Sequence, residues 1–395
     1  MTRALAVIDG EHYAPVVRDA LAELPYDFVG AYFAGGSEKV VGDEDYGVPV
    51  SEDFDRALAE WDPELVFDLS GEPVVDPAER LRLASTALAR GVAYAGADFR
   101  FDPPARESFS RPSLAVIGTG KRVGKTAVTG HIARVLSQQR KVVVVAMGRG
   151  GPPEPQVIES PPTVEDLVSL SRAGGHAASD YLETAALAGV PTVGCRRCGS
   201  GMAGAVATSS VLAGAEIANG LDPDLVIFDG SGAAVPPIDA GARILVAHDV
   251  AAGLNLYRLL ISDLVLTRDE GVARDVTRVS TVPFLAFDLR LKPSTPLGGR
   301  RTAVFTTGAD RVEHLDADVV HLSVNLARRD VLRDELARVD AEVYLVELKA
   351  AAIDVVAEAA LERGAEVVFA ENEVVADGLD ERIETLTDRM LERVA

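Results

Sequence analysis

The sequence predicts an α/β protein in three blocks: a Rossmann-like N-terminal domain over 1–111, a central domain with a mainly parallel sheet over 112–300, and a C-terminal α/β domain over 301–395. Three observations carry this expectation. Apolar runs of strand length alternate with helical periodicity along the whole chain. Prolines and glycines punctuate it at Asp102-Pro103-Pro104 and Arg111-Pro112, and again at Pro293, Pro296 and Gly298-Gly299. A chain of 395 residues is also long enough for two or three cores of ordinary size.

In the first block, strands are expected over 4–8, 28–33, 65–69 and 92–95, with helices over 13–24, 54–61 and 77–90 between them. Polar turns follow three of these strands: Asp9-Gly10-Glu11-His12-Tyr13, Leu69-Ser70-Gly71-Glu72-Pro73 and Gly96-Ala97-Asp98. Open α/β sheets bind ligands at such ends, so Asp9, Glu11 and His12 are candidates for a small-molecule site. His12 either donates to an anionic group or caps the helix. The central block opens with a strand over 114–117, then a glycine-rich turn, a helix over 126–138 and a strand over 141–147. The last block places strands over 303–306, 319–323, 343–346 and 367–369 between amphipathic helices.

Composition narrows the function. With 48% hydrophobic and 25% charged residues, the disordered and collagen-like classes are excluded. No stretch approaches the roughly 20 apolar residues of a membrane span, and the N-terminus lacks an apolar signal region, so a cytoplasmic protein is expected. Two cysteines, Cys195 and Cys198, support no disulfide framework. A net charge of −22 disfavours nucleic acid and anionic membranes as partners, leaving a small molecule. An acidic chain that binds an anion must gather its arginines and lysines at the site, which makes local basic clusters informative. A homodimer is the expected assembly. Acidic, arginine-rich composition with few Met and Cys points to thermoadaptation.

The strongest local signal is Gly118-Thr119-Gly120-Lys121-Arg122-Val123-Gly124-Lys125-Thr126, set between an apolar strand and a helix. Glycines there let backbone N–H groups turn around phosphate oxygens, and the helix adds its positive end. This is a P-loop, and the central block is read as a P-loop NTPase domain. Lys125 is expected on the β/γ-phosphates of a nucleotide and the Thr126 hydroxyl on Mg²⁺. Thr119 stands where the plain pattern has its first glycine, which is displaced to Gly118. The strand and turn Asp224-Leu225-Val226-Ile227-Phe228-Asp229-Gly230 end in a carboxylate, and Asp229 is a second candidate for Mg²⁺.

Weaker signals follow. Met147-Gly148-Arg149-Gly150-Gly151 should lie beside the P-loop, with Arg149 facing a phosphate or else solvated on a flexible loop. Gly194-Cys195-Arg196-Arg197-Cys198-Gly199-Ser200-Gly201-Met202-Ala203-Gly204 lacks the further ligands a zinc site needs. It is read as a mobile loop that brings Arg196 and Arg197 to an anionic substrate, against a bland surface loop. Lys349 reaches either a phosphate or a surface ion pair. His248 and Asn255 flank a turn expected near the nucleotide base.

The P-loop resembles that of dethiobiotin synthetase, within the class that includes the MinD-type ATPases. Those switches carry a signature lysine five places before the P-loop lysine, where this chain has Gly120. Over its full length the chain resembles the cyclic 2,3-diphosphoglycerate synthetase family. The residues that carry the likeness are Asp9-Gly10-Glu11-His12-Tyr13, Gly118 to Thr126, Arg149-Gly150-Gly151 and Glu347-Leu348-Lys349. That resemblance implies ATP-dependent closure of a phosphoanhydride within 2,3-bisphosphoglycerate, with ADP and phosphate as by-products. It implies Lys125, Arg149 and Lys121 as catalytic cations, residues 118–126 as the nucleotide cradle, and Thr126 with Asp229 on Mg²⁺. Asp9, Glu11, His12, Arg149, Gly150, Gly151, Arg196 and Arg197 would serve the substrate. Another ATP-dependent ligase or kinase of the dethiobiotin synthetase type, or a 2-phosphoglycerate kinase, is the alternative, followed by a MinD-like switch.

Overall fold

A computed structural model describes residues 1–42, 44–308 and 311–394. The chain forms two compact units. The first comprises Met1–Ala105 with Asp249–Ile261 and Asp275–Val282; the second comprises Arg106–His248, Ser262–Arg274 and Pro283–Ala395.

The first unit is built on a six-stranded sheet in the spatial order Val50–Ser51, Asp27–Phe33, Arg3–Ile8, Leu65–Asp68, Ala93–Ala95, Arg100–Phe101. All neighbours are parallel except the last pair. The strand order reverses between Arg3–Ile8 and Leu65–Asp68, so Asp9 and Asp68 stand at the switch point of the sheet. Helix Ala14–Glu23 follows the expected turn, with Tyr13 as its N-cap and a proline in its first turn. Helix Pro77–Ala89 is capped by Asp76, which accepts from the Glu79 N–H at 2.8 Å.

The second unit carries the P-loop. Its large sheet runs Gln156–Ile158, Thr192–Cys198, Val142–Gly148, Leu225–Asp229, Ser113–Gly118, Ala242–Ala247, Leu264–Thr267, Phe284–Ala286. Every pair in that order is parallel except the first. Parallel sheets are covered on both faces, which accounts for the fully buried runs Ser113–Gly118 and Val142–Gly148. A second sheet runs Asp288–Pro293, Glu366–Val375, Val343–Glu347, Arg301–Phe305, Asp318–Ser323. Its outer strand, Asp288–Pro293, precedes residue 300 and pairs antiparallel with Glu366–Val375. The expected α/β class with mainly parallel sheets and a P-loop domain is therefore present.

One expectation is corrected. Of the loop expected over 194–204, residues 194–198 belong instead to strand Thr192–Cys198, which pairs in parallel with Val142–Gly148. Alternation places Cys195 and Arg197 inward and Arg196 and Cys198 outward. The adjacent glycine turn is shaped by this strand. A Cβ at Gly151 would collide with the Cys195 carbonyl oxygen, a backbone atom that cannot step aside. Gly151→Ala is expected to lower stability by roughly 1–3 kcal/mol in urea denaturation, as overpacking does. Gly220→Ala, at a helix end where nothing lies within 4 Å, should hold or gain. Equal midpoints for the two variants would contradict the packing argument.

Candidate functional site

The P-loop strand Ser113–Gly118 lies between Leu225–Asp229 and Ala242–Ala247, so its turn emerges at the centre of the carboxyl edge. Helix Lys125–Ser137 starts directly from it, with Gly124 at φ 103° as the cap. Only glycine enters that conformation without strain. Gly118 has a different reason: the Lys125 side chain runs across it, with Cδ 2.8 Å from where a Cβ would sit. The Lys125 ammonium donates to the Gly120 carbonyl at 3.0 Å.

Thr119, the departure from the plain pattern, ties the loop to the neighbouring strand end. Its hydroxyl accepts from the His248 backbone N–H at 3.1 Å and pairs with His248 Nδ1 at 2.8 Å. His248 Cε1 then lies 3.0 Å from the space a Cβ on Gly120 would take. A side chain at 120 would have to displace the histidine. His248 thus stands over the loop itself.

Asp229 ends the strand beside the P-loop, in register with Val116. It is buried, and its Oδ1 has no hydrogen-bond partner. Burial pushes its carboxyl up to about 7, against the pull of Lys125. Burial likewise lowers Lys125, which Asp229 and Asp180 partly restore. An orphaned, desolvated carboxylate beside a P-loop lysine, with the Thr126 hydroxyl on the cavity wall, suits a hard cation and its phosphate ligands.

The loop opens into a cavity of about 930 Å³. Lys121, Arg122, Lys125 and Arg149 line it from the P-loop side. Arg268, Arg290, Arg311 and Lys349 line it from the strand end at Thr267 and from the second sheet. Arg268 and Arg311 share Asp288, at 2.8 and 3.7 Å. Three of the chain's six lysines therefore face one space in a protein of net charge −22. Such a gathering of cations suits an anionic ligand.

The three family models match with these descriptions: cyclic 2,3-diphosphoglycerate synthetase N-terminal domain over 3–102, P-loop domain over 113–275, and C-terminal domain over 295–373. The chain belongs to the cyclic 2,3-diphosphoglycerate synthetase family. Proteins of that name from Rubrobacter xylanophilus, Thermococcus gammatolerans and Methanothermus fervidus are 46%, 42% and 36% identical to it. The matches cover 96%, 94% and 99% of this chain and 95%, 93% and 96% of those proteins. The family is one of ATP-binding enzymes, and among the described residues no helix is long and apolar enough to cross a membrane.

The synthetase P-loop, Gly118 to Thr126, forms as the motif requires, and Arg149 joins it at the cavity. Arg197 is buried behind them, donating to Ser231 O at 2.8 Å and Gly199 O at 2.9 Å, while its Nε has no partner. Arg196 is exposed on the outward side of its strand. Gly150 and Gly151 shape the turn that carries Arg149. Asp9 is buried in the first unit and receives Glu11 N–H at 3.0 Å, His12 Nδ1 at 2.8 Å and Gly71 N–H at 2.6 Å. Sequence reasoning missed Asp180, Arg268, Arg290 and Arg311. Only the pairing of distant strands brings them together, and no local motif marks them. Lys349 is not on an outer surface; it lines the cavity.

The raised Asp229 carboxyl has a consequence for stability. A buried acid that titrates near 7, against about 3.9 unfolded, costs stability as pH rises between those values. In thermal melts without ligands, wild type should weaken from pH 5 to pH 7.5, and Asp229→Asn should flatten the slope. Parallel slopes would contradict the buried-acid assignment.

Proposed function

We propose that this chain converts 2,3-bisphosphoglycerate and ATP to cyclic 2,3-diphosphoglycerate, ADP and inorganic phosphate. The observation that carries the reading is the cavity, walled by cations on two sides. A nucleotide triphosphate accounts for the P-loop side. The arginines and lysine opposite suit a second, multiply anionic substrate. The curated relatives named above support the identity of the product.

In this reading an oxygen of one substrate phosphate attacks the γ-phosphorus, and ADP leaves. An oxygen of the other substrate phosphate then attacks the phosphorus of the first, expelling inorganic phosphate and closing the ring. Charge neutralisation and alignment carry such a reaction further than acid-base chemistry does. Lys125 holds the γ-phosphoryl group, and Arg149 the attacking phosphate. Lys121 and Arg122 contact further phosphate oxygens, and the amides of 118–124 cradle the nucleotide. Mg²⁺, when bound, would neutralise β/γ oxygens, with Thr126 and Asp229 as its protein donors.

We assign substrate handling in the N-terminal domain, 1–111, to His12 and Glu11, with Asp9 as their anchor. The His12 side chain is 46% exposed while its Nδ1 is held by Asp9. Arg197 adds a buried positive charge behind Lys125 and Arg149 for a substrate phosphate to meet, Gly150 and Gly151 set the Arg149 turn, and Arg196 offers an exposed guanidinium to arriving substrate. The P-loop domain, 112–300, and the C-terminal domain, 301–395, wall the reaction. The enzyme acts as a homodimer in the cytoplasm on a small molecule, without nucleic acid or membrane as partner. The charge of −22 supports the last point.

With ATP, Mg²⁺ and 2,3-bisphosphoglycerate, phosphorus NMR should show the two phosphomonoester signals giving way to upfield anhydride signals, with ADP and phosphate rising in step. ATP hydrolysis over an intact bisphosphate would overturn the reading and leave only a P-loop ATPase. Lys125→Ala should lose on the order of 3 kcal/mol or more of transition-state stabilisation, seen as a fall of at least about a hundredfold in kcat. Near-normal turnover would remove Lys125 from its role.

A further inference from the structure

Lys349 follows strand Val343–Glu347 and precedes a sharply constrained turn. Ala350 sits in the left-handed region at φ 50°, and a π-helical turn, Ala352–Ala357, comes next. A non-glycine residue in that region and a π-turn are both local departures that persist where surroundings demand them. Both lie within a few residues of Lys349, whose ammonium group stands at the cavity wall. Its Nζ lies 3.2 Å from Glu183 Oε1 and 3.8 Å from Glu347 Oε1.

The two carboxylates differ. Glu347 is already engaged: Oε2 accepts from the Thr307 N–H and hydroxyl, and Oε1 from Asn372 Nδ2. Glu183 is 5% exposed, and its Oε2 is buried without a partner. It comes from helix Asp180–Ala188, whose first residue, Asp180, lines the cavity. A carboxylate left this dry is unfavourable unless it serves a fixed partner. Lys349 is that partner, and the pair joins the second sheet to a helix of the P-loop sheet across the site.

The ammonium itself is not used up. It has three donors, its side chain is 30% exposed, and it lines the same cavity as Lys125 and Arg149. Burial works against its charge, but Glu183 and Glu347 outweigh that and keep it protonated. Burial pushes Glu183 up to about 7, with Lys349 pulling the other way. The acceptor side of the reaction needs such a cation. Lys125 is committed to the nucleotide, and two phosphates of one substrate must approach each other as well as the γ-phosphoryl group. A compact ammonium can follow a phosphate oxygen as its bonding changes, which a rigid guanidinium fork does less well.

We infer that Lys349 is a catalytic residue that contacts a substrate phosphate, and that Glu183 is a positioning residue that holds its ammonium at the cavity wall. The inference rests on the bisphosphate reading of the cavity given above. It is tested on the full-length protein with Lys349→Met, Lys349→Arg and Glu183→Gln. The readouts are calorimetric binding of 2,3-bisphosphoglycerate, binding of a fluorescent ATP analogue, and kcat and KM from ADP release.

Lys349→Met should weaken bisphosphate binding about tenfold and cut kcat about a hundredfold, with nucleotide affinity within about threefold of wild type. Lys349→Arg should recover most of the binding but less of the turnover. Glu183→Gln should raise the bisphosphate KM about tenfold and lower kcat about tenfold, with nucleotide affinity within about threefold of wild type, a pattern that loosened packing would not produce. Wild-type bisphosphate binding in Lys349→Met, or equal loss of nucleotide and bisphosphate, overturns the role of Lys349. An unchanged KM in Glu183→Gln overturns the positioning role. Should Lys349→Met fail to fold, Lys349→Arg and Glu183→Gln decide by the same binding and KM shifts. If wild type binds bisphosphate but forms no anhydride, the cyclase reading falls while the binding series still judges Lys349. If wild type binds none, both fall.

Discussion

Repulsion between like charges governs this site. Lys121, Lys125, Arg149, Arg268, Arg311 and Lys349 line one cavity, so their positive charges oppose one another across it. Each charge that is held firmly has an acid beside or behind it. Asp229 and Asp180 support Lys125, Glu183 and Glu347 support Lys349, and Asp288 is shared by Arg268 and Arg311. The acids offset part of the burial cost on Lys125 and hold Lys349 protonated before any phosphate arrives. The preorganisation that phosphoryl transfer needs is thus present in the protein alone.

Supporting this arrangement strains the chain at identifiable points. Asp229 and Glu183 are both buried acids whose carboxyls titrate near 7, and each has an oxygen without a partner. Arg122 and Ala350 occupy the left-handed region without being glycine. These features sit at the cavity or in its backing, and they are the sort of local rule-breaking that functional sites accumulate. The parallel sheet beneath them follows the rules closely, with valine-rich strands buried on both faces and the P-loop strand near its centre. Rigidity there is what allows the strand ends to hold charges in place.

The second sheet turns a nucleotide site into a two-sided one. The antiparallel pairing of Asp288–Pro293 with Glu366–Val375 places Arg290, and through Asp288 the arginines 268 and 311, opposite the P-loop. Strand Val343–Glu347, two places from Asp288–Pro293 in that sheet's spatial order, delivers Lys349. A P-loop domain alone would bind nucleotide and would lack the cations that a bisphosphate needs.

The sequence by itself determined the P-loop from Gly118 to Thr126, the strand-end Asp229, the Arg149 turn and most of the alternating elements. Each is written in contiguous residues whose local chemistry permits few alternatives: glycines before a helix, an acid after an apolar strand. Tertiary structure alone decided the rest. The strand at Thr192–Cys198 reads as a loop because its two arginines hide the period, and only burial against Val142–Gly148 turns Cys195 and Arg197 inward. Asp9 reads as a ligand, yet its second oxygen is taken by the amide of Gly71, a residue 62 positions away. Thr119 reads as a defect in a motif until His248, 129 positions on, is seen to hold it. Lys349 finds Glu183 only when two sheets meet. Local geometry is encoded by neighbours in the chain. Pairing between charges more than a hundred residues apart depends on strand order and register, which no single stretch of sequence records.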